Sequence, residues 1–505
     1  MVQVPSLRSL LPSSLLLLGL ACGGGGGSNS SAPPAPVVGP TLTTAPAAQA
    51  GYVGDRVTFS VVAQGTGHSY QWLRNGTAIS GATAATYPLT VAAVDDQARF
   101  SVKVTASTGG ITTSPEVLLD VLYADPAVVA GHDHALAITT KGKVYAWGVG
   151  GNGQLGVGDY QARQAPAAVT LPGPAVQVAA GWGHSLALLA DGRVFAWGSN
   201  SNGQLGDGTT TMRNAPAAVP NFTGVVYIAC GYDHNFAVKA DNTMWMWGYN
   251  AKGQLGLGDK VNRLVPTQIG GSAAQVQDVA LGMLHTLLVS TSNVLSGCGD
   301  NGYGQLGLPY SSTTEYLTFT SLASNIKAAR TFALNSFALA TNGAALGTGE
   351  NVYGSLGDGT LTTRYSWVSL STAGLPAGAT VADIIPGLYH THLLSTQGAV
   401  ASMGYNWYGQ QGTGSASTTP STTSNAVTGL NAWQVSAGSM SSYAVLPDLT
   451  VKAWGYNNNG RLGDGTATDR PAPVTVPGLF LGPVPTGVAP PVAPAPLRVR
   501  GGTEG

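Results

Sequence analysis

The stretch Trp147-Gly148-Val149-Gly150-Gly151-Asn152-Gly153-Gln154-Leu155-Gly156 decides the fold, because it returns along the chain at a nearly fixed spacing. Close copies run from Trp197 to Gly206 and from Trp247 to Gly256. Weaker copies follow at Cys298 to Gly307, Thr348 to Gly357, Met403 to Gly412 and Trp454 to Gly463. Successive starts are 50, 50, 51, 50, 55 and 51 residues apart. This period indicates an array in which each repeat is one supersecondary unit.

A second landmark, Gly-x-x-His, lies upstream of most copies. It occurs at Gly131/His134, Gly181/His184, Gly231/His234, Gly282/His285 and Gly387/His390. We call these histidines the slot histidines; Asn335 and Ser441 occupy the slot in the other repeats. Each repeat also carries short apolar runs, such as 185–189 and 194–197, joined by a turn at 190–192 that is typical of a β-hairpin. The pattern predicts about four strands per repeat.

Together, Trp-Gly-x-Asn-x-x-Gly-Gln-Leu-Gly and Ala-Gly-x-x-His resemble the regulator of chromosome condensation repeat family. The resemblance covers residues 125 to 480 and implies an all-β fold, a seven-bladed β-propeller, here assigned to residues 123–480. Residues 471–474 echo the segment between repeats at 165–169, and no landmark follows them. We therefore expect the ring to close where the strand 127–130 continues from the last repeat.

Composition excludes some classes of partner. The 505 residues include 22 Lys and Arg against 23 Asp and Glu, a net charge of −1, and only 9% of residues are charged. No basic cluster stands out, so the chain lacks the electrostatic signature of nucleic-acid binding. Gly accounts for 71 residues, which suits a protein of many short strands and tight turns. We expect no nucleic-acid partner and no cofactor.

The N-terminus has the features of an export signal. Arg8 precedes an apolar run, 15–18, that is too short to span a bilayer. Residues 18–22, Leu-Gly-Leu-Ala-Cys, resemble a bacterial lipobox, which implies a signal peptide over 1–21 and a lipid on Cys22. The alternative is an ordinary signal peptide with an incidental cysteine. Residues 22–40 are predicted to form a flexible tether, and residues 481–505 a disordered tail.

The region 41–122 alternates apolar and polar residues with a period of two, which predicts a β-sandwich. It resembles a bacterial immunoglobulin-like domain, with Trp72 at the position of the buried strand-C tryptophan. Phe100 and Val102 stand where the family has a tyrosine and a cysteine, so the corner hydrogen bond and the inter-sheet disulfide are lost. A rigid spacer is the favoured role. Cys230 and Cys298 could pair, which the sequence leaves open.

Repeated polar residues are interpreted as structural. The slot histidines could serve metal or acid-base chemistry, but residues that fill the same slot of successive repeats are normally structural and hydrogen-bond the backbone of a neighbouring blade. The pairs His132/His134 and His390/His392 each offer too few ligands for a metal, and no metal site is expected. Asp207, Asp358 and Asp464 lie in Leu-Gly-Asp-Gly-Thr runs that are typical of turns. No hydrolase or metalloprotease motif is present, so we expect no catalytic residues.

The residues that vary within the repeated frame are more informative. Aromatic side chains lie between the loop residues that recur in each repeat. If these side chains are exposed, they should cluster on common faces of the propeller. Tyr and Trp are enriched at binding hot spots. The alternative is that some of them pack between repeats. The candidate binding face consists of Trp182, Tyr232, Tyr249, Tyr303, Tyr353, Tyr389, Tyr405, Trp407, Tyr408 and Tyr456.

These features predict an exported binding protein that is not an enzyme. We expect a monomer, anchored by lipid in the outer membrane or at the cell surface, whose propeller binds a protein or a glycan. The resemblance also implies guanine-nucleotide exchange activity, but the largest repeat spacing, 55 residues, leaves little room for the insertion that activity uses. A secreted inhibitor in the same family clamps its target enzyme with an aromatic face. The remaining alternatives are a polysaccharide-active envelope enzyme and a purely structural envelope component.

Overall fold

The computed structural model describes residues 37–271, 275–310 and 314–482. The predicted signal peptide, Cys22 and the tail from residue 483 onward lie outside the described residues. Within the described ranges, no helix is both long enough and apolar enough to cross a membrane. The helical segments described there are two short 3-10 turns, Ala93–Asp95 and Asn458–Gly460.

The N-terminal unit contains ten short strands. They are β1 (Leu42–Thr44), β2 (Gln49–Tyr52), β3 (Arg56–Ser60), β4 (Val62–Ala63), β5 (Ser69–Arg74), β6 (Thr77–Ala78), β7 (Thr86–Thr90), β8 (Arg99–Thr105), β9 (Ile111–Thr113) and β10 (Val117–Leu122). One sheet has the order β2-β10-β8-β5-β6, with β9 beside β8, while β3 pairs with β7 and β1 with β4. Trp72, Phe59 and Phe100 are fully buried. They form an aromatic core between the sheet of β3 and β7 and the sheet that contains β5 and β8. The immunoglobulin-like assignment stays a prediction.

The rest of the described chain forms seven four-stranded antiparallel sheets, which we call blades 1 to 7. Blades 1 to 3 are β11 (Ala127–Ala130), β12 (His134–Ile138), β13 (Val144–Gly148), β14 (Arg163–Val169); β15 (Ala175–Ala180), β16 (His184–Leu189), β17 (Val194–Gly198), β18 (Arg213–Ala218); and β19 (Val225–Cys230), β20 (His234–Lys239), β21 (Met244–Gly248), β22 (Arg263–Ile269). Blades 4 and 5 are β23 (Val276–Leu281), β24 (His285–Ser290), β25 (Leu295–Asp300), β26 (Glu315–Ala323); and β27 (Ile326–Phe332), β28 (Asn335–Ala340), β29 (Ala345–Gly349), β30 (Arg364–Ser369). Blades 6 and 7 are β31 (Val381–Pro386), β32 (His390–Ser395), β33 (Ala399–Asn406), β34 (Ser417–Asn431); and β35 (Gln434–Ala437), β36 (Ser441–Val445), β37 (Thr450–Gly455), β38 (Arg470–Phe480). The all-β propeller predicted from the repeats is confirmed.

The apolar core lies between neighbouring blades. In blade 2, every residue of β16 is buried, because the next blades cover both faces of the sheet. One apolar cluster joins Leu136 and Val144 of blade 1 to Val178 and Trp197 of blade 2. A strand that is covered on both sides has consecutive apolar residues, as at 186–189 in this strand. Burial is therefore shared between repeats, and no blade has an apolar core of its own.

The first strand of each blade lies next to the propeller axis, where it contacts the first strands of the two adjacent blades. The ring closes where β11 meets β35. There the main-chain N–H of Val128 donates to Oε1 of Gln434 at 3.1 Å, and that of Ala130 donates to Oγ of Ser436 at 2.9 Å. Residues 127–130 thus follow the last repeat in the ring, as expected. Blade 7 nevertheless takes its outer strand from its own repeat, so side-chain hydrogen bonds and packing close the ring.

The N-terminal unit contacts the propeller at the end that carries the tight turns. Lys141, in the turn of blade 1, binds Oδ1 of Asp96 at 2.7 Å and Oδ1 of Asp120 at 2.5 Å. A largely apolar cavity of about 700 Å³ lies between the two units, with Val53 on one side and Tyr227 on the other. The opposite end of the propeller carries the long loops, and it is the end farther from the N-terminal unit.

Candidate functional site: the loop face of the propeller

Two loops of every blade meet at one end of the propeller, which we call the loop face. The inner loop joins the first and second strands and contains the Gly-x-x-His landmark, as at 181–183 in blade 2. The outer loop joins the third and fourth strands and contains Gly-Gln-Leu-Gly, as at 199–212. Because the four strands are antiparallel, both loops emerge at the same edge of the sheet. The aromatic residues of the predicted binding face lie in these loops, apart from Tyr405 near the end of β33, and each slot histidine is the first residue of the second strand of its blade.

The slot histidines connect neighbouring blades. Each is buried, and its Nε2 lies 2.7–2.9 Å from a side chain of the following blade: Ser185, Asn235, Thr286, Ser336 and Ser442, in that order. Four of these partners donate in turn to a main-chain carbonyl of the preceding blade, at Gln154, Gln204, Gln254 and Gln410. The sequence predicted a direct contact with the neighbouring backbone. In the structure, one side chain of the next blade stands between the histidine and that carbonyl.

These hydrogen bonds indicate which ring nitrogen of the slot histidines carries the proton. The Nδ2 of Asn235 donates to the Gln204 carbonyl, so its Oδ1 must accept a hydrogen from Nε2 of His184. Burial lowers the pKa of His184. It lowers the pKa of the other four slot histidines to about 3: His134, His234, His285 and His390. The slot histidines are therefore neutral donors at neutral pH.

The two His-x-His pairs have different environments. His390 and His392 both approach Oγ of Ser442, at 2.9 and 2.8 Å from their Nε2 atoms. In the first pair, only His134 enters the blade interface, and His132 turns towards the loop face. Across residues 37–271, 275–310 and 314–482, no group of three or more His, Cys, Asp or Glu side chains is placed to hold a metal ion.

The repeated aspartates fasten the outer loops. Oδ1 of Asp464 accepts hydrogen bonds from the main chain of Thr466 at 3.0 Å and from its hydroxyl at 2.7 Å, and Oδ2 binds Nε of Arg470 at 2.7 Å. The same arrangement recurs at Asp207 and Asp358. Burial raises the pKa of these carboxyls, but the hydrogen bonds from threonine and arginine outweigh it and hold the pKa below its usual range. Both oxygen atoms of each of these carboxylates are therefore bound by residues near or in the outer loop.

Aromatic side chains form a first group close to the axis, which we call the axial group. The ring of Trp182 is stacked 6.0 Å from that of Tyr232, and the edge of His132 contacts both rings at 6.1 and 5.4 Å. Phe332 lies 6.4 Å from Tyr232 on the far side. Trp182 is 41% exposed, so the group is open to the solvent. Blades 1, 2, 3 and 5 contribute to it.

The axial group surrounds the mouth of a cavity of about 320 Å³ that runs along the axis. Arg330 lies in its wall between two carboxylates, with Nη1 2.7 Å from Oδ2 of Asp278 and Nε 2.9 Å from Oδ1 of Asp383. These three residues belong to the first strands of blades 4, 5 and 6. Their ion pairs join three neighbouring blades at the axis.

A second group, which we call the arc, follows the loop face across blades 5, 6 and 7. Its members are Tyr353, Tyr389, Tyr405, Trp407, Tyr408 and Tyr456. Neighbouring ring centroids are 4.3 to 6.5 Å apart, within the range of aromatic pairs. Trp407 is 55% exposed at the outer edge. The structure thus brings residues from three successive repeats onto one surface.

Charged residues link the arc to the axial group. The guanidinium of Arg461 lies 4.6 Å from the ring centroid of Tyr456, and Nη2 of Arg461 is 3.0 Å from Oδ1 of Asp133. The other carboxylate oxygen, Oδ2, is 3.0 Å from Nδ1 of His132. A continuous series of contacts therefore runs from Tyr353 in blade 5, through blades 6, 7, 1 and 2, to Tyr232 in blade 3.

Two predicted members of the binding face stand apart. Tyr249 is half-buried and Tyr303 is 46% exposed, and neither makes a ring-to-ring contact in the described part of the chain. The remaining eight lie in the axial group or the arc. Cys230 and Cys298 are both free thiols, so the bridge that the sequence left open is not formed. Burial raises the pKa of both thiols.

Sequence reasoning missed three residues on this face: His132, Phe332 and Glu350. His132 occupies the same inner-loop position as Trp182 and Tyr232, so alignment of the repeats could have found it. Glu350 occupies the outer-loop position of Tyr405 and is detectable in the same way. Phe332 replaces the landmark glycine, and its approach to Tyr232 of blade 3 follows only from the closed ring.

Comparison with protein families places repeats in the first half of the propeller. Models described as regulator of chromosome condensation (RCC1) repeat match residues 141–188, 191–238 and 241–289, and a second model of that description matches 127–154, 175–204 and 225–254. Among curated proteins, the mouse probable E3 ubiquitin-protein ligase HERC4 is 30% identical over 213 residues, which is 41% of this chain and 20% of HERC4. The Arabidopsis thaliana ultraviolet-B receptor UVR8 is 31% identical over 208 residues, 40% of this chain and 46% of UVR8. The chain thus spans less than half the length of either relative.

Solved structures share the propeller fold. Prp20p from Saccharomyces cerevisiae, whose structure was reported with its binding to Gsp1p and histones, superposes with a TM-score of 0.59 at 20% identity over 70% of this chain and 87% of its own. Human WBSCR16 gives a TM-score of 0.56 at 24% identity over 65% and 88% of the two chains. At these identities the likeness concerns the fold alone. The chain therefore carries regulator of chromosome condensation repeats, and its seven-blade domain is a propeller of that type.

Proposed function

We propose that this protein is an exported, non-enzymatic binding protein, anchored to the membrane through lipid at Cys22, whose loop face binds a protein or glycan at the cell surface. The observation that carries the proposal is the continuous series of contacts from Tyr353 to Tyr232 across the loop face, in which two aromatic groups are joined by Arg461 and Asp133. Monomeric proteins rarely expose extended apolar patches that have no binding role. Tyrosine and tryptophan also supply rigid contact area with a polar edge, which suits both protein and sugar ligands.

The position of the N-terminal unit supports this role. It contacts the turn end of the propeller through Lys141, opposite the loop face. A chain that is tethered at Cys22 would then hold the loop face away from the membrane. In this proposal, the unit 41–122 is an immunoglobulin-like spacer, and the propeller acts as a monomer.

The use of the repeated polar residues also supports a binding role. The slot histidines bind the following blade through Nε2, and the aspartates bind threonine and arginine of their own loops, so both sets of residues have structural roles. Yeast Prp20p, which has the same fold, is described as binding Gsp1p and histones. A propeller of this type is therefore suited to present a protein-binding surface, and the partner of this chain would be set by its own loop residues.

Site-specific crosslinking tests the proposal. A photo-crosslinking phenylalanine analogue at Trp407, on the loop face, is compared with the same analogue at Phe480, which is 58% exposed at the opposite end of blade 7. The full chain is irradiated on cells, and crosslinked peptides and glycans are identified by mass spectrometry. We expect crosslinks from position 407 that disappear when Trp182 and Tyr405 are changed to alanine. Equal crosslinking from both positions, or none from 407, would overturn the proposal.

A further inference from the structure

Glu350 introduces an acid into the aromatic arc. Its main-chain N–H donates to the Leu334 carbonyl at 3.1 Å, which is the hydrogen bond that Tyr405 makes with the Tyr389 carbonyl at 2.8 Å in the next blade. The two residues therefore leave the backbone at equivalent points of neighbouring blades. Blade 5 thus carries a carboxylate where blade 6 carries a phenol.

The carboxylate of Glu350 has no partner within the described residues. In blade 4 the equivalent acid, Asp300, accepts a hydrogen bond from Nε2 of Gln305 at 2.8 Å. Blade 5 has Ser355 in place of that glutamine, and its hydroxyl interacts with Asn335 and with the main chain of Glu350. Without a neutralising group, burial raises the pKa of Glu350.

The nearby basic side chains are already paired. Arg364, on the outer strand of blade 5, binds Oδ2 of Asp358 through Nε at 2.5 Å. Arg330, on the first strand, is held between Asp278 and Asp383. Neither guanidinium is available to Glu350, so the described part of the chain leaves this carboxylate free to meet a positive charge on a partner.

Three tyrosines of blades 5 and 6 contact one another, and one of them, Tyr389, lies near Glu350. The ring centroid of Tyr353 lies 4.5 Å from that of Tyr389 and 5.2 Å from that of Tyr405, and Tyr389 and Tyr405 are 6.2 Å apart. The interplanar angles are 53°, 67° and 74°, so the three rings are steeply inclined to one another. Glu350 adjoins them closely enough for its charge to contribute, after burial, to the raised pKa of Tyr389. Ring faces attract cations because their π-electrons carry negative charge.

The same face contains a complete example of this combination. At Tyr456, the guanidinium of Arg461 lies over the ring at 4.6 Å, and the carboxylate of Asp133 completes the pair at 3.0 Å. Aromatic ring, cation and carboxylate are all supplied there by the protein. At Tyr353, Tyr389 and Tyr405 the rings and the acid are present, and no side chain in the described ranges provides the cation.

We propose that Tyr353, Tyr389, Tyr405 and Glu350 form a site for the charged end of a lysine or arginine side chain of a protein partner. The inference rests on the proposed function, that the loop face binds, and it specifies the ligand. A basic side chain supplies the missing charge, and its alkyl part packs against the rings. A neutral glycan would leave the carboxylate without a counter-charge.

A peptide titration tests this site on the full chain. The probes are acetyl-Gly-Lys-Gly-amide, its arginine analogue and its norleucine analogue, which has nearly the same shape as lysine and no charge. Binding is followed by ligand-observed NMR. We expect the charged peptides to bind about tenfold more tightly than the norleucine peptide, a ratio in the range of a cation–π contact with a carboxylate nearby. The ratio should fall to about one in Glu350→Gln.

Two further variants make the result specific. Glu315→Gln removes an acid of blade 4 that is already paired with Lys252 at 2.8 Å, and it should leave the ratio unchanged. Tyr389→Leu should lower the ratio while the circular dichroism spectrum of the protein stays the same. Equal binding of the lysine and norleucine peptides, or an unchanged ratio in Glu350→Gln, would overturn the cation site. Crosslinking from position 407 would still report on the loop face, so the two proposals fail separately.

Discussion

A Cβ atom on Gly181 would overlap the imidazole ring of His184, three residues later in the inner loop of blade 2. The same overlap would occur at the other glycine and histidine pairs of the landmark, at 131/134, 231/234, 282/285 and 387/390. In blade 5, Phe332 replaces the glycine and Asn335 the histidine, because a β-carbon and an imidazole compete for one space. Blade 7 keeps Gly438 beside Ser441, where the main-chain oxygen of Gly131 also occupies the space.

This relationship predicts the effect of Gly181→Ala. The added methyl group must displace the imidazole, and we expect the free energy of unfolding to fall by about 1–3 kcal/mol. In the His184→Asn background the same change should cost about 1 kcal/mol less, since the overlap with the imidazole is removed and only that with the main-chain oxygen of Gly231 remains. Urea unfolding of the four proteins of this cycle measures the coupling.

Gly151→Ala is the matched control for this cycle, because nothing lies within 4 Å of a Cβ at that position. It should change stability by less than about 0.5 kcal/mol. A cost of Gly181→Ala that is the same with and without the imidazole would contradict the steric explanation.

Lowering the pH should destabilise the propeller at pH values above those at which carboxylates take up protons. Burial holds the pKa of four slot histidines at about 3, whereas an unfolded histidine titrates near 6.5. Their contribution to stability is complete above pH 6.5 and is lost as the pH falls towards 3, because the unfolded chain takes up protons that the folded chain excludes. Each such histidine should cost about 1.4 kcal/mol per pH unit below 6.5.

The histidine contribution is measured by urea unfolding at pH 7.5, 6.5, 5.5 and 4.5. Because asparagine fills the slot naturally in blade 5, His234→Asn is a reasonable replacement that does not titrate. The free energy of unfolding of this variant should change less with pH than that of the unchanged protein. The difference in slope should correspond to about one proton taken up on unfolding. Parallel curves for the two proteins would count against burial of a neutral imidazole at this position.

Asp464→Asn should weaken the outer loop of blade 7. The substitution keeps the shape of the side chain but removes the ion pair with Arg470 and one acceptor for Thr466. We expect a loss of about 1–2 kcal/mol in the free energy of unfolding.

Asp448→Asn provides the comparison. Asp448 accepts the same two hydrogen bonds from Thr450, at 3.0 and 2.7 Å, but it is exposed and has no arginine partner. The difference between the two variants therefore reports the contacts that Asp464 makes and Asp448 does not, with Arg470 and with Nδ2 of Asn457. Equal losses would mean that Arg470 contributes nothing to the loop.

Lipidation at Cys22 is tested by intact-mass analysis of the mature protein from membrane fractions. We expect a chain that begins at Cys22 and carries acyl groups, because residues 18–22 resemble a lipobox. Cys22→Ser should lose the added mass and leave the membrane fraction. An unlipidated wild-type chain in the soluble fraction would contradict the anchor and would reopen the alternative of an intracellular regulator.

The sequence by itself determined the repeats and their strands. The Trp-Gly and Gly-x-x-His landmarks fall at strand ends, and runs such as 186–189 are apolar throughout because both faces of the strand are covered. These features are encoded locally, in turn residues and in the order of apolar side chains, so a single chain read in order reveals them. The aromatic loop positions were predictable for the same reason.

Only the tertiary structure decided which residues meet. His234 and Thr286 are 52 positions apart, and Ser439 and Asp133 are 306 apart, so their contacts exist only once blades pack and the ring closes. Closure also brings Arg461 of blade 7 beside Asp133 of blade 1, and the packing of blades 5 and 6 places Glu350 near Tyr389. Local pattern specifies what each blade is made of, whereas contacts between blades depend on the rotation that relates one sheet to the next.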